Sequence, residues 1–216
     1  MPPKAAKGEY IETDTGNKIS RRSQIHGTQH IILGGKSIIQ SDAVLRGDLF
    51  RTTTSNPSDL KPPSTSSTTT TTTETPPPDP KNTISISIGR YSYISRSAIL
   101  HPPSRLHRGV HSYFPLKIGD HVYIGERSVI EAASVGNHVH VGTDAVVGNM
   151  AILKDFAYVL DGAVVPGGMV VPSWCVVGGA PARIVGEIGE GYGVEGAEGG
   201  MARERYRGVG GGGGRG

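Results

Sequence analysis

From Val135 onward the chain can be written in sixes: VGNHVH, VGTDAV, VGNMAI, LKDFAY, VLDGAV, VPGGMV, VPSWCV, VGGAPA. The first position is always Val or Leu, and the fifth is Val, Ala, Ala, Ala, Ala, Met, Cys and finally Pro. IGDHVY and IGERSV begin at Ile118 and Ile124, and IGRYSY and ISRSAI at Ile88 and Ile94. Further back stand LGGKSI, IQSDAV and LRGDLF from Leu33, with ISRRSQ and IHGTQH from Ile19 and Ile25. A period of six rules out an amphipathic helix, whose apolar face recurs at three and four residues, and simple strand alternation does not explain it either. It suits a chain that bends after every short strand. Large aliphatics at position one fill an interior, and small residues at position five fit where the wall turns. Three units close one triangular coil, and coils stack at ~4.8 Å with parallel ladder hydrogen bonds. The expected fold is all-β, a left-handed parallel β-helix of hexapeptide repeats held mainly by coil-on-coil contacts. The frequent Gly at position two is read as the residue that supplies the positive φ of a corner. Cys175 falls at a fifth position, so it reads as a small buried wall residue and not a reactive thiol.

Composition divides the chain. Residues 1–18 lead into the first coil, and the repeat runs over 19–188. It is broken at 52–81 by TTTSNPSDLKPPSTSSTTTTTTETPPPDPK, nearly all Thr, Ser and Pro. Such a stretch buries too little apolar area to offset its ordering entropy, which predicts a disordered insertion. From Gly189 to Gly216, 13 of 28 residues are Gly, which predicts a flexible tail whose Arg203, Arg205, Arg207 and Arg215 are solvated. A second break, HPPSRLHRGVHSYFPLK at 101–117, reads as a loop projecting from a corner. Its Arg105, His107, Arg108, His111, Tyr113 and Phe114 have the basic and aromatic character of a contact surface on a rigid scaffold. The alternative is that Tyr113 and Phe114 fold back and plug a coil edge.

Charge and cysteine usage exclude several function classes. The formal net charge is +3 and the sequence pI about 9.0, with basic residues scattered and no basic helix interleaved with aromatics, so nucleic acid is not indicated. A single cysteine cannot make an internal disulfide, and CxxC pairs are absent, which points to a reducing compartment. The opening MPPKAAKGEYIETDTG lacks the apolar core of a signal peptide, and no apolar run approaches ~18 residues. A soluble, cytosolic chain is expected.

The layout AVLRGDL, IGRYSYISRSAILH and PLKIGDHVYIGERSVIEAASVGNHVHVGTDAVVG resembles the gamma carbonic anhydrases unit by unit. Those enzymes hold zinc with three histidines, leaving a fourth position for water whose pKa the metal lowers. Carried onto this chain, the resemblance puts the first ligand on His101 and the other two on Glu126 and Glu131. The family's Asn and Gln, which orient substrate and water, fall on Tyr93 and Ser95. One neutral His with two carboxylates would raise the pKa of a bound water instead of holding it near neutrality. The expectation is a vestigial site with no catalytic residues, no bound metal and no cofactor. Arg46 and Asp48 survive in LRGD, a pair that in that family helps build subunit contacts. An acyltransferase would need a general-base His beside a cleft for a pantetheine arm. His121 and His138 occupy fourth positions and His140 a sixth, which are corner and surface places where a His is ordinarily solvated. The terminal VVGGAPARIVGEI ends both kinds of β-helix and discriminates poorly.

GEYIETDTGNKISRRSQIHGTQHIILGGKSIIQSDAVLRGDL and HPPSRLHRGVHSYFPLKIGDHVYI fit neither enzyme group and are similar to the dynactin subunit 5 family. The resemblance covers about 9–50 and 83–165, and more weakly to 188. It implies a non-catalytic structural and adaptor subunit of the dynactin pointed-end complex, in cytoplasm and cytoskeleton. The implied partners are dynactin subunit 6 as a heterodimer, the pointed-end actin-related protein, the zinc-rich dynactin subunit and dynein cargo adaptors. The implied role is dynein-driven microtubule transport, notably of early endosomes. The insertion at 52–81 and the Gly-rich end depart from the family pattern.

Overall fold

A computed structural model describes residues 9–50, 83–107, 110–189 and 205–209. The insertion expected to be disordered at 52–81 lies outside them, as does most of the Gly-rich end.

The repeat builds three parallel faces. The first carries β2 (Lys18–Ser20), β5 (Ile38–Ile39), β8 (Tyr93–Ile94), β13 (Tyr123–Ile124), β16 (His140–Val141), β19 (Tyr158–Val159) and β22 (Cys175–Gly178). The second carries β3 (Gln24–His26), β6 (Val44–Arg46), β9 (Ile99–Leu100), β14 (Val129–Ile130), β17 (Val146–Val147) and β20 (Val164–Val165). The third carries β4 (Ile31–Leu33), β7 (Ile86–Ile88), β12 (Leu116–Ile118), β15 (Ser134–Val135), β18 (Ile152–Leu153) and β21 (Val170–Val171). This is a left-handed parallel β-helix of hexapeptide repeats. Both ends of the first face are closed by antiparallel strands, β1 (Tyr10–Glu12) against β2 and β23 (Arg183–Glu187) against β22. Covering the outermost strands satisfies backbone groups that would otherwise template further pairing.

Positions one and five point inward as the pattern requires. Ile88, Ile94, Leu100, Ile124, Ile130, Val141 and Leu153, all first positions, are buried, and so are the fifth-position Ala98, Ala145, Ala157 and Ala163. Cys175 is buried in the same wall. Where position five is Ser, its hydroxyl is satisfied by backbone: Ser37 Oγ donates to the Gly89 carbonyl at 2.7 Å and Ser92 Oγ to that of Gly119 at 2.9 Å. A stack of 18-residue coils thus buries aliphatic area continuously and pairs these position-five hydroxyls with backbone, whereas the buried Ser95 Oγ at position two has no hydrogen-bond partner among the described residues.

The corners correct one sequence expectation. Positive φ falls on position four, at Tyr91, Ser97, His121, Arg127, His138, Asp144, Met150, Phe156 and Trp174, and not on the glycines of position two. Position two needs Gly for space. The Asp120 side chain and the Gly119 backbone lie where a Cβ on Gly89 would stand, and Asn137 and Asp155 do the same above Gly119 and Gly136.

The excursion at 101–117 is a two-stranded antiparallel hairpin, β10 (Ser104–His107) with β11 (Val110–Tyr113). Asn149, 45 residues further along the chain, clamps its base: its Oδ1 accepts the Ser104 N–H at 2.9 Å and its Nδ2 donates to the Ser104 carbonyl at 2.8 Å.

Candidate functional site

His101 follows β9 and Glu131 follows β14, and the registers Leu100↔Ile130 and Ile99↔Val129 put the two side by side on one corner, a coil apart. The His101 N–H donates to the Ile130 carbonyl at 2.9 Å, and its ring meets Tyr113 edge-on with centroids 6.1 Å apart. Glu126 sits beyond the other end of β14, on the corner between the first and second faces, with its carboxylate 3.6 Å from Arg127. The three positions therefore occupy two corners of one triangular stack. A single chain does not bring them together, and among the described residues no group of three or more His, Cys, Asp and Glu is placed to hold a metal ion.

Tyr93 and Ser95, at the positions of the orienting amides, lie on the first face. The Tyr10 hydroxyl donates to Gln40 Oε1 at 2.8 Å, and Gln40 Nε2 donates to the Tyr93 oxygen at 2.8 Å. Burial, aided by neighbouring Tyr123, raises the Tyr93 phenol above its ordinary pKa, so it is a neutral group at physiological pH. Ser95 is buried beside it.

Arg46 and Asp48 form a forked pair, Nε–Oδ1 and Nη2–Oδ2 both 2.9 Å. The hydrogen bonds from Arg46 lower the Asp48 pKa. This geometry holds the turn after β6. A second fork, Arg127 to Asp144 at 2.7 and 2.6 Å, links corners of adjacent coils.

In the hairpin, Arg105 and His111 are exposed, and Leu106 is 64% exposed. Of His107 the backbone pairing with Val110 is described, and Arg108 lies outside the described residues. Tyr113 and Phe114 are half-buried and line a groove with Leu49, Phe50, Thr83, Ile84 and Ser85. The Phe114 N–H donates to the Pro103 carbonyl at 2.8 Å. Tyr113 and Phe114 thus turn toward the coil, as the second of the two sequence readings has it, while Arg105, Leu106 and His111 are exposed.

Two aromatic ladders went unread in the sequence. Along one corner the position-four rings of Tyr91, His121, His138, Phe156 and Trp174 stack at 5.2, 4.8, 4.8 and 4.0 Å between centroids, within 8° of parallel. On the first face Tyr93, Tyr123, His140 and Tyr158 stack at 5.6, 4.6 and 4.3 Å. His138 and His140 are thus not solvated side chains. Burial lowers the pKa of both, and for His140 burial and then Arg205 bring it to about 4. Arg205, expected in a solvated tail, instead lies over Tyr123, because residues 205–209 form a helical turn seated on this face. The signal was available as a recurrence at 18 residues, 121 to 138 being one short of it and 138, 156 and 174 obeying it.

A family model described as dynactin subunit 5 matches residues 4–65 and 81–194. The curated protein named dynactin subunit 5 in Dictyostelium discoideum is 35% identical over 134 residues, 62% of this chain and 50% of that protein. The chain thus spans about half the length of that relative. A hexapeptide transferase family protein from Anaplasma phagocytophilum has a TM-score of 0.56 at 18% identity, covering 89% of this chain and 92% of the other. A mutant perosamine N-acetyltransferase from Caulobacter crescentus, solved with CoA and GDP-perosamine, has a TM-score of 0.51 at 16% identity, covering 79% and 57%. At identities this low the likeness to the solved structures is one of fold alone.

Proposed function

The chain belongs to the dynactin subunit 5 family, and from that premise we propose that it is a non-catalytic structural and adaptor subunit of the dynactin pointed-end complex. In this reading it pairs with dynactin subunit 6 and attaches with the pointed-end actin-related protein and the zinc-rich subunit. It works in the cytoplasm on the cytoskeleton, where it helps dynein engage cargo adaptors for early-endosome transport. The observation that carries the reading is the family match over both sides of the insertion, 4–65 and 81–194, which takes in all three faces of the β-helix.

The side chains favour a scaffold over an enzyme. Carboxylates stand at two of the three ligand positions, on different corners. The histidines that an acyltransferase reading would offer as bases lie in ring stacks, and a His with a pKa of about 4 is a weak base at neutral pH. Flat, rigid faces and closed ends suit a part that partners pack against. The exposed edge of the hairpin, Arg105, Leu106 and His111, is the contact surface in this reading, anchored by Tyr113 and Phe114.

The test is affinity purification of the full chain from cell extract with mass spectrometry, alongside a Leu106→Asp variant. The wild type co-purifies with pointed-end subunits. Leu106→Asp keeps its melting curve, since the side chain is 64% exposed, and loses them. Recovery of no dynactin subunit by the wild type would overturn the reading; full recovery by the variant would move the contact off the hairpin.

A further inference from the structure

The outer side of the first face presents one aromatic ring per coil, in strict register: Tyr93↔Tyr123, Tyr123↔His140, His140↔Tyr158. Residues 205–209 are seated on it. The Arg205 guanidinium lies 4.1 Å from the centroid of Tyr123 and 5.9 Å from that of Tyr93. Lys18, in line with the ladder at its N-terminal end, donates to the carbonyl oxygens of Tyr206, at 2.8 Å, and Val209. Its ammonium also stands 4.1 Å over the Tyr206 ring, and the Tyr206 hydroxyl donates to the Gly16 carbonyl at 2.7 Å.

We propose that this ladder is an arginine-reading docking face for a helical segment, filled within the chain by residues 205–209 and exchangeable with a partner segment of the same chemistry. That chemistry is an Arg followed by an aromatic residue at the start of a helical turn.

Each part of the face selects for it. The Arg205 guanidinium lies over the Tyr123 ring, and an aromatic face attracts a planar guanidinium better than an ammonium. The His140 ring is neutral at physiological pH, so it adds to that surface without repelling the cation. Lys18 meets the carbonyls that a helical turn leaves unpaired at its C-terminal end. Among the described residues, the Arg205 and Tyr206 side chains and the Tyr206 and Val209 carbonyls hold the segment to the face. Its advantage is the tether, which sets an effective concentration on the order of millimolar. A partner helix presenting the same residues with more surrounding area displaces it. Tyr and Arg are the residue types that concentrate binding energy at interfaces, and here they meet on a rigid wall. The inference goes beyond the dynactin assignment and does not rest on it, since it concerns what one face of this chain binds.

The test uses the full chain and a fluorescent peptide of its own residues 203–209, RERYRGV. A variant with Arg205→Ala and Tyr206→Ala vacates the face. The vacated chain is expected to bind the peptide, and the native chain to bind it roughly ten-fold more weakly because its own segment competes. Adding Tyr123→Ala to the vacated chain removes binding; Lys18→Ala does the same from the rim, leaving the ring stack intact. Equal affinity for native and vacated chains would overturn the proposal. So would absence of binding by a vacated chain whose circular dichroism and melting match the native protein.

Discussion

The Asp120 carboxylate accepts the backbone N–H of Arg90 at 2.6 Å, across the step between two coils, and in doing so lies over Gly89. The arrangement repeats. Asn137 accepts from the Asp120 N–H at 2.9 Å over Gly119, and Asp155 from the Asn137 N–H at 2.6 Å over Gly136. The Gly at position two and the Asp or Asn at position three of the next coil are therefore one device. A methyl group on Gly89 would collide with both the Asp120 side chain and the Gly119 backbone. Gly89→Ala is expected to cost about 1–3 kcal/mol, as overpacking does. At roughly 2–4 °C per kcal/mol for a chain of this size, thermal melting reads it directly. Gly186→Ala, where nothing lies within 4 Å, is the control and stays within about 0.5 kcal/mol of wild type.

His140 sits between Tyr123 and Tyr158 in the ring stack, and burial followed by Arg205 holds its pKa at about 4, below the ordinary 6.5. Between those values the unfolded chain binds a proton that the folded chain refuses. Stability is therefore whole above pH 6.5, falls as pH drops, and has lost this contribution by pH 4. The loss is at most roughly 3 kcal/mol. Wild type should lose more melting temperature between pH 7.5 and pH 4.5 than His140→Phe does. An NMR titration in which the His140 imidazole protonates near its ordinary value would refute the account. In Arg205→Ala the same resonance should titrate at higher pH than in wild type.

The residues that flank the insertion are tied together. Ser85 Oγ donates to the Leu49 carbonyl at 2.5 Å, His30 Nδ1 lies 2.7 Å from the Thr83 carbonyl oxygen, and the His30 ring packs on Phe50 with centroids 4.1 Å apart. Deleting 52–81 shortens a loop whose ends are already close. Loop-closure entropy then favours the shortened chain by about 1–2 kcal/mol. The melting temperature is expected to stay level or rise by a few degrees. A fall of more than about 5 °C would mean that the segment packs against a coil.

With His101 and Glu131 on one corner and Glu126 on another, the purified chain is expected to carry no stoichiometric zinc, cobalt or iron and not to accelerate carbon dioxide hydration. Elemental analysis decides it. About one metal per chain, lost on His101→Ala, would contradict the vestigial reading.

The repeat, read as a repeat, determined the coil. Val, Leu and Ile at position one and small residues at position five leave few ways to bury a chain that must turn every six residues, so Ile94, Leu100, Ala145 and Cys175 could be placed inside from the sequence. The family was legible in motifs outside the pattern. What the period of six concealed is what happens at a period of three units, because the coil and not the hexapeptide is the unit that stacks. His138, Phe156 and Trp174 look like unrelated corner residues in the sequence and become one column when 18 residues bring the chain back over itself. Tyr91 joins that column only after the hairpin excursion is subtracted from the count. Gly at position two shows the same limit: its conformational freedom is a local property, whereas the carboxylate that forbids a side chain there arrives from the next coil. The seating of Arg205 on Tyr123 joins residues 82 apart in the chain. No local preference encodes such a contact, and only the finished wall of rings gives the guanidinium a place to go.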